Sequence, residues 1–281
     1  MKPEIGQSKE KTGFLPAGAD QSSNFSYFKA QSSWGATKHM GGFKATEELI
    51  TMCQITPGKR FLEVGCGAGM TTWRLAKEYH CSVVGVDLSP QMIAWSKKRV
   101  EKESVKSQTT FVIADATNLP FLSDHFDIVL SESVTAFPRE KQAVINEYAR
   151  LLRPGGFVGI NEGTWLYDDP PENLVEYVKN TMENVQFLTA AGWEALFKRA
   201  ELVDIRVKVY KISMIEQWKN QLGGLRAGDK QDTLRAFKDF FSLSLRDPEF
   251  RKYARSITPS PGVLRQFFKY LGYGLYVGKK V

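Results

Sequence analysis

A doubly wound α/β fold, with a mainly parallel sheet covered by helices on both faces, is the architecture this sequence predicts. Two observations predict it. Short apolar runs alternate with longer amphipathic stretches over residues 60–161, and a glycine-rich turn, "GCGAG" at 65–69, directly follows the first apolar run. Strand and helix alternating at this spacing call for parallel strands joined by covering helices, and right-handed crossovers leave few topologies.

The elements follow in order. Residues 1–24 are rich in Gly, Ser, Gln and Lys with few large apolar side chains, the composition of a mobile arm. Residues 25–58 read as an N-terminal helical lid: an aromatic start, then an amphipathic helix over 43–52 that Pro57 and Gly58 bring to an end. Strands are expected at 60–64, 82–86, 110–114, 126–131 and 157–161, with helices at 70–79, 90–102 and 141–152 between them. Ser89 is placed to cap the second of these helices, with Pro90 at its first position. Pro154, Gly155 and Gly156 form the turn into the fifth strand.

Beyond Asn161 the pattern changes. "EGTWLYDDPPEN" reads as a loop, helices are expected at 174–182 and 190–199, and "AELVDIRVKVYKI" reads as a strand. Residues 214–268 read as a helical insert forming a cap or a substrate or partner region, broken at Gly223, Gly224, Gly228 and Pro248. "LGYGLYVGKK" closes the chain as the last of seven strands, so 59–213 and 269–281 together make up the core domain.

A chain of 281 residues buries one large core without disulfide or metal staples. No segment approaches the roughly 18 uninterrupted apolar residues of a membrane span, and the N-terminus lacks the apolar centre of a signal peptide, so a cytoplasmic location is expected. Cys53, Cys66 and Cys81 are an odd count without ligand spacing, and His39, His80 and His125 are scattered, so no metal site is expected and the thiols read as free. The net charge of +7 arises from 38 basic and 31 acidic residues interspersed along most of the chain, a generally basic surface. The last stretch concentrates Lys and Arg among aromatics, which suits contact with an acidic partner or with membrane headgroups. Nothing in the pattern decides between monomer and homodimer.

Glycine belongs in a strand-to-helix turn where φ is positive or where a ligand approaches the backbone. Gly65, Gly67 and Gly69 fit that geometry. The lysine-serine pair of a triphosphate loop is absent, since Met70, Thr71 and Thr72 follow the last glycine. The dinucleotide fingerprint wants its third glycine where Met70 stands, and a bulky side chain there opposes close helix-strand packing. Asp87 ends the second strand, where a carboxylate can accept both hydroxyls of a ribose, and Asp115 ends the third, within reach of a purine's exocyclic amine. The ligand these residues predict is an adenosine without phosphates.

Four motifs, "LEVGCGAG", "VVGVDLSPQMIAWSKKR", "ADATNLPFLSDHFDIVLS" and "EYARLLRPGGFVGINE", stand in an order and at a spacing that resemble the class I S-adenosylmethionine-dependent methyltransferases, specifically their small-molecule branch with the ubiquinone and menaquinone C-methyltransferases. The resemblance covers 41–161, with a weaker echo through "TAAGWEALFKRAELVDIRV". It implies a Rossmann-like fold with S-adenosylmethionine as cofactor and S-adenosylhomocysteine as product. It further implies that Gly65, Cys66 and Gly67 place backbone under the methionine part of the cofactor and that Glu63 neutralises its ammonium. Asp87 would hold the ribose with Leu88 packed on the adenine, Asp115 and Ala116 would read the adenine edge, and Ser131 with Glu132 would stand beside the sulfonium. "HMGG" at 39–42 resembles a histidine-glycine segment that closes over the cofactor, with Met40 where relatives often carry proline.

A sulfonium methyl is already activated, so the expected transfer is an in-line displacement in a largely enclosed site, for which position supplies roughly 7 to 11 kcal/mol of the barrier. A base is needed only if the acceptor must lose a proton, and His39, Glu132 and Glu162 are the candidates. The acceptor pocket is expected from Tyr27, Trp34, Trp165, Tyr167 and Phe241, enough to favour an apolar or aromatic small molecule. RNA or protein as acceptor, and a protein that binds S-adenosylmethionine without catalysis, are the alternatives; the absence of an "NPPY"-type sequence after the fourth strand, where "SESVTAF" stands, counts against the RNA or protein acceptor.

Overall fold

The computed structural model describes residues 27–28, 39–183, 185–213, 238, 242 and 245–281. The expected arm at 1–24, Trp34, Phe241 and most of the insert at 214–268 lie outside the described residues.

The first helix, α1 (Gly42–Met52), buries Ala45, Thr46, Leu49, Ile50 and Met52 along one face, the spacing of an amphipathic helix on a sheet. Then come β1 (Arg60–Val64), α2 (Met70–Lys77), β2 (Ser82–Asp87), α3 (Pro90–Lys102), β3 (Thr109–Ile113), β4 (Phe126–Glu132) and α4 (Lys141–Leu151). The cap read from "SP" is present: Ser89 Oγ accepts from the Met92 N–H, and Pro90 opens α3. The chain continues through β5 (Leu152–Trp165), α5 (Glu172–Thr181), β6 (Leu188–Thr189), α6 (Ala190–Arg199) and β7 (Val203–Lys211). Two helices described from the expected insert, α7 (Pro248–Ser256) and α8 (Pro261–Tyr270), lead into β8 (Leu271–Lys279).

The sheet runs β3-β2-β1-β4-β5-β8-β7, with β6 paired to β5. Pairing is parallel from β3 through β5, and β8 lies antiparallel between β5 and β7. The mainly parallel fold agrees with the sequence reading, with an eighth strand added by the two residues of β6 beside Trp165. β5 departs further from expectation. It starts before the Pro-Gly-Gly segment and runs on through Trp165, absorbing the first residues of what reads as a loop. The cause is non-local: β8 pairs with it from Phe157 opposite Lys279 to Trp165 opposite Leu271, and these ladder hydrogen bonds outweigh local turn chemistry.

Alternation along the strands divides the core between the two faces. Leu62, Val64, Val129 and Tyr276 face α4 and α6 with Val144, Tyr148, Trp193 and Phe197, while Phe61, Val83, Leu130 and Leu275 face α1 and α2 with Leu49 and Leu75. Trp73 and Trp95 are half-buried, Trp73 against the core, with Lys77 and Lys98 over their rings. Among the described residues, no helix is long and apolar enough to cross a membrane.

Candidate active site

Strand order reverses between β1 and β4, and an open parallel sheet carries its crevice at that point, beyond the carboxyl ends of the strands. Glu63, the glycine turn, Asp87 and Glu132 all stand there, because each closes or directly follows a strand.

The turn leaves β1 with Gly65 and Cys66 N–H both donating to Val86 O, at 2.7 and 2.9 Å, which ties the turn to the end of β2. Gly65 and Gly69 have φ of 73° and 75°, the left-handed region that glycine occupies without strain. Both are also crowded: a Cβ on Gly65 would run into the Val134 side chain, and one on Gly69 would meet Ser96 Cβ at 2.9 Å. Packing alone therefore accounts for two of the three glycines. Asp87 braces the turn from the side, with Oδ2 accepting from Gly67 N–H at 2.9 Å and Oδ1 from Ser89 N–H at 2.8 Å. Ser96 Oγ donates to Gly67 O at 2.7 Å. Cys66 is 2% exposed, and burial pushes its thiol well above the ordinary range, so it packs as a small residue and is no nucleophile.

Three carboxylates gather around this turn. Burial first, with like charge from Glu132 and Asp87, pushes Glu63 up to about 8 against an opposing hydrogen bond from Thr72 Oγ1. Burial also raises Asp87, against the two backbone N–H groups that favour its charged form. Leu88 and Ile113 stand 58% and 54% exposed on either side of Asp87, whose strand partner is Ile113. An acid-lined edge between two uncovered aliphatic side chains fits a ligand with a cationic amino-acid end, a ribose and a flat purine. It opposes a pyrophosphate. Ile113 was not foreseen, since it reads as one more apolar residue of a strand.

The third carboxylate is the centre of a buried polar cluster. Glu132 accepts from Thr46 Oγ1 (2.9 Å to Oε2), from Asn161 Nδ2 (3.1 Å) and from Thr71 Oγ1 (3.4 Å), and His39 Nε2 lies 3.8 Å from it. His39 Nε2 is 2.7 Å from Thr46 Oγ1, and Asn161 Nδ2 also donates to Met40 O. These bonds bring the "HMGG" segment and α1 against the ends of β4 and β5. Thr46, Thr71 and Asn161 were absent from the sequence reading. Asn161 alone left a signal there, as an amide in the apolar run "FVGIN".

Other expected residues stand differently. Ser131 and Glu132 are neighbours on a strand and point to opposite faces, so they do not share the site. Ser131 is fully buried against Tyr148 and Thr135 on the α4 side. Glu162 is 0% exposed and also lies on that side: its Oε1 accepts from the N–H groups of Val134 and Thr135 at 2.9 and 2.6 Å. It grips the loop after β4 through Oε1, while Oε2 is buried without a hydrogen-bond partner among the described residues, and burial raises its carboxyl to about 7. Asp115 Oδ1 accepts from the N–H and hydroxyl of Thr117, at 2.8 Å each, beside a half-buried Ala116. Of the expected acceptor pocket, Trp165 belongs to the core against Phe187, and Tyr167 is 45% exposed against Tyr270. Tyr27 stacks on Phe137 at the end of the Glu162-held loop, with Phe28 on the same ring at 4.9 Å. Among the described residues, no group of three His, Cys, Asp or Glu side chains is arranged to hold a metal.

Fold and edge chemistry together are similar to those of the class I S-adenosylmethionine-dependent methyltransferases. Residues 61–156 match the family model described as a methyltransferase domain. An uncharacterised protein of Haemophilus influenzae is 28% identical over 226 residues, 75% of this chain and 88% of its own. The phosphoethanolamine N-methyltransferase of Triticum aestivum is 28% identical over 188 residues; they are 64% of this chain but span only 37% of that enzyme. A methyltransferase of Geobacter sulfurreducens, solved with S-adenosylhomocysteine, superposes with a TM-score of 0.65 at 23% identity, over 90% of this chain and 97% of its own. None of these three is named for a quinone.

Proposed function

We propose that this chain transfers a methyl group from S-adenosylmethionine to a small-molecule acceptor. The observation that carries the reading is the acid-lined edge: Glu63, Asp87 and Glu132 around a glycine turn, flanked by exposed Leu88 and Ile113. The cofactor supplies a methyl group already activated on a sulfonium. Glu63 holds its ammonium, Asp87 its ribose hydroxyls, Leu88 and Ile113 the faces of its adenine, and Asp115 with Ala116 the adenine edge. The protein's part is position and exclusion of water, and α1 with the 39–42 segment covers the edge for that purpose.

A small acceptor is favoured because Asn161 and Glu132 tie the 39–46 segment down beside the edge. The name of the wheat relative gives phosphoethanolamine as its acceptor. Tyr27, Phe28 and Phe137 add an aromatic wall beside the loop after β4, which suits an acceptor with an apolar or aromatic part. His39 is the base for an acceptor that must lose a proton.

Calorimetric titration with S-adenosylmethionine and S-adenosylhomocysteine tests the cofactor, and labelled S-adenosylmethionine with panels of amines, phenols and isoprenoids tests the acceptor. Asp87→Ala is expected to weaken S-adenosylhomocysteine binding at least tenfold, since hydrogen bonds to a charged group contribute about 1.5 to 3 kcal/mol each. Wild-type protein that folds but binds neither sulfur nucleoside would refute the proposal.

A further inference from the structure

We infer that Thr46 is a positioning residue that fixes the tautomer of His39, leaving Nδ1 as the atom that takes a proton from the acceptor. The inference rests on the methyltransferase reading for its chemistry, and on hydrogen-bond arithmetic for its geometry.

A threonine hydroxyl has one hydrogen to donate and lone pairs to accept with. Around Thr46 Oγ1 stand Glu132 Oε2 at 2.9 Å, Glu132 Oε1 at 3.2 Å, Gly42 O at 3.5 Å and His39 Nε2 at 2.7 Å. The carboxylate and carbonyl oxygens only accept. If the hydroxyl hydrogen pointed to His39, oxygen lone pairs of Thr46 and Glu132 would face each other at 2.9 Å in a site where Thr46 is 1% exposed. Turned to Glu132, the same hydrogen leaves Thr46 Oγ1 to accept from Nε2–H. His39 then carries its hydrogen on Nε2. Among the described residues, no hydrogen bond engages Nδ1.

This order, imidazole to hydroxyl to carboxylate, is that of a catalytic histidine oriented by a carboxylate, with a hydroxyl between them. Asn161 Nδ2 and Thr71 Oγ1 hold Glu132 in place from the other elements of the site. The step balances simply. An electron pair of the acceptor, a lone pair on nitrogen or oxygen or the pair of the broken C–H bond in a carbon acid, forms a bond to the methyl carbon, the carbon–sulfur bond breaks with its electrons on sulfur, and the acceptor's proton passes to Nδ1. The imidazolium so formed lies 3.8 Å from Glu132 Oε2, which offsets its charge. The device is of use only for an acceptor that carries a proton to lose: an amine, a hydroxyl or a carbon acid. A thioether needs none of it.

The chain has three histidines, so the imidazole nitrogens of a ¹⁵N-histidine-labelled full-length sample are individually assignable, with His39→Gln marking the signal of interest. Long-range ¹H–¹⁵N spectra of the ligand-free protein are expected to give the Nε2–H pattern for His39. Thr46→Ser, which keeps the hydroxyl, should retain it. Thr46→Val, which keeps the shape and removes the hydroxyl, should give a mixture of tautomers. An Nδ1–H pattern in the wild type, or a Thr46→Val spectrum unchanged from it, overturns the inference. Should the valine variant not fold, the wild-type and serine spectra decide alone. S-adenosylhomocysteine titrated into the same samples reads the underlying function separately, because its failure to bind leaves the tautomer result standing. With an acceptor from the amine and phenol panels, Thr46→Val should lower kcat about 10²-fold with KM little changed, and Thr46→Ser should restore it.

Discussion

At the scale of single residues, the site places carboxylates in surroundings that disfavour their charge, and Glu63 is the clearest case. Its ordinary value of 4.5 rises to about 8, through burial first and then like charge from Glu132 and Asp87. A raised folded-state value means that the folded chain holds a proton the unfolded chain has released. The stability this contributes is fully present below about 4.5 and is lost as pH climbs through about 8. An ammonium placed beside Glu63 reverses the preference and favours the ionised form. Binding of S-adenosylmethionine should therefore release a proton below about pH 8, and affinity should increase as pH rises toward that value. Calorimetry in two buffers of different protonation heat reads the release directly. Glu63→Gln should abolish the release, and equal heats in both buffers for the wild type would remove Glu63 from the ammonium site.

At the scale of elements, the loop after β4 is the piece that joins the two halves of the site. Val134 presses on Gly65 of the cofactor turn, Phe137 carries the Tyr27 and Phe28 rings, and Glu162 holds the segment by two backbone N–H groups. Each buried N–H left without an acceptor costs about 1 to 3 kcal/mol. Glu162→Ala should thus destabilise the chain by about 2 to 6 kcal/mol in urea unfolding. Glu162→Gln, which keeps a carbonyl oxygen in place of Oε1, should cost much less. Equal losses would mean that the carboxyl does not act through this loop. The sequence marks Glu162 as a candidate at the end of a strand, but it does not show its hold on the loop, because the Val134 and Thr135 N–H groups that it binds follow β4. The same holds for His39, whose partner Thr46 is nearby but whose carboxylate is supplied by Glu132. By contrast, the glycine turn, Asp87 and the Ser89 cap are written in contiguous residues, and they stand where the sequence puts them. β5 was misread at both ends for the same reason as Glu162: its length is set by β8, a strand from the other end of the chain.

At the scale of the whole molecule, the choice of cofactor is an electrostatic one. The chain carries a net charge of +7, yet its crevice gathers Glu63, Asp87 and Glu132 at the point where strand order reverses. Nicotinamide folds use the same reversal point to seat a pyrophosphate on a helix N-terminus, and Met70 occupies that turn here. Two negative phosphates would stand beside this acidic group in a partly desolvated cleft, where charges interact more strongly than in water and nothing would draw the proton from Glu63. A sulfonium nucleoside brings its own ammonium instead. S-adenosylhomocysteine lacks the sulfonium charge but keeps the ammonium, ribose and adenine, so it should bind and stabilise the fold as a whole. At about 100 times its Kd a ligand adds about 2.7 kcal/mol. For a chain of this size that corresponds to a rise in Tm of roughly 5 to 10 °C. NADH at the same concentration should leave Tm unmoved, and adenosine, which lacks the ammonium, should give a smaller rise that vanishes in Asp87→Ala. A rise with NADH equal to that with S-adenosylhomocysteine would mean that the acidic edge does not select the ligand, and the role assigned to these three carboxylates would fall with it.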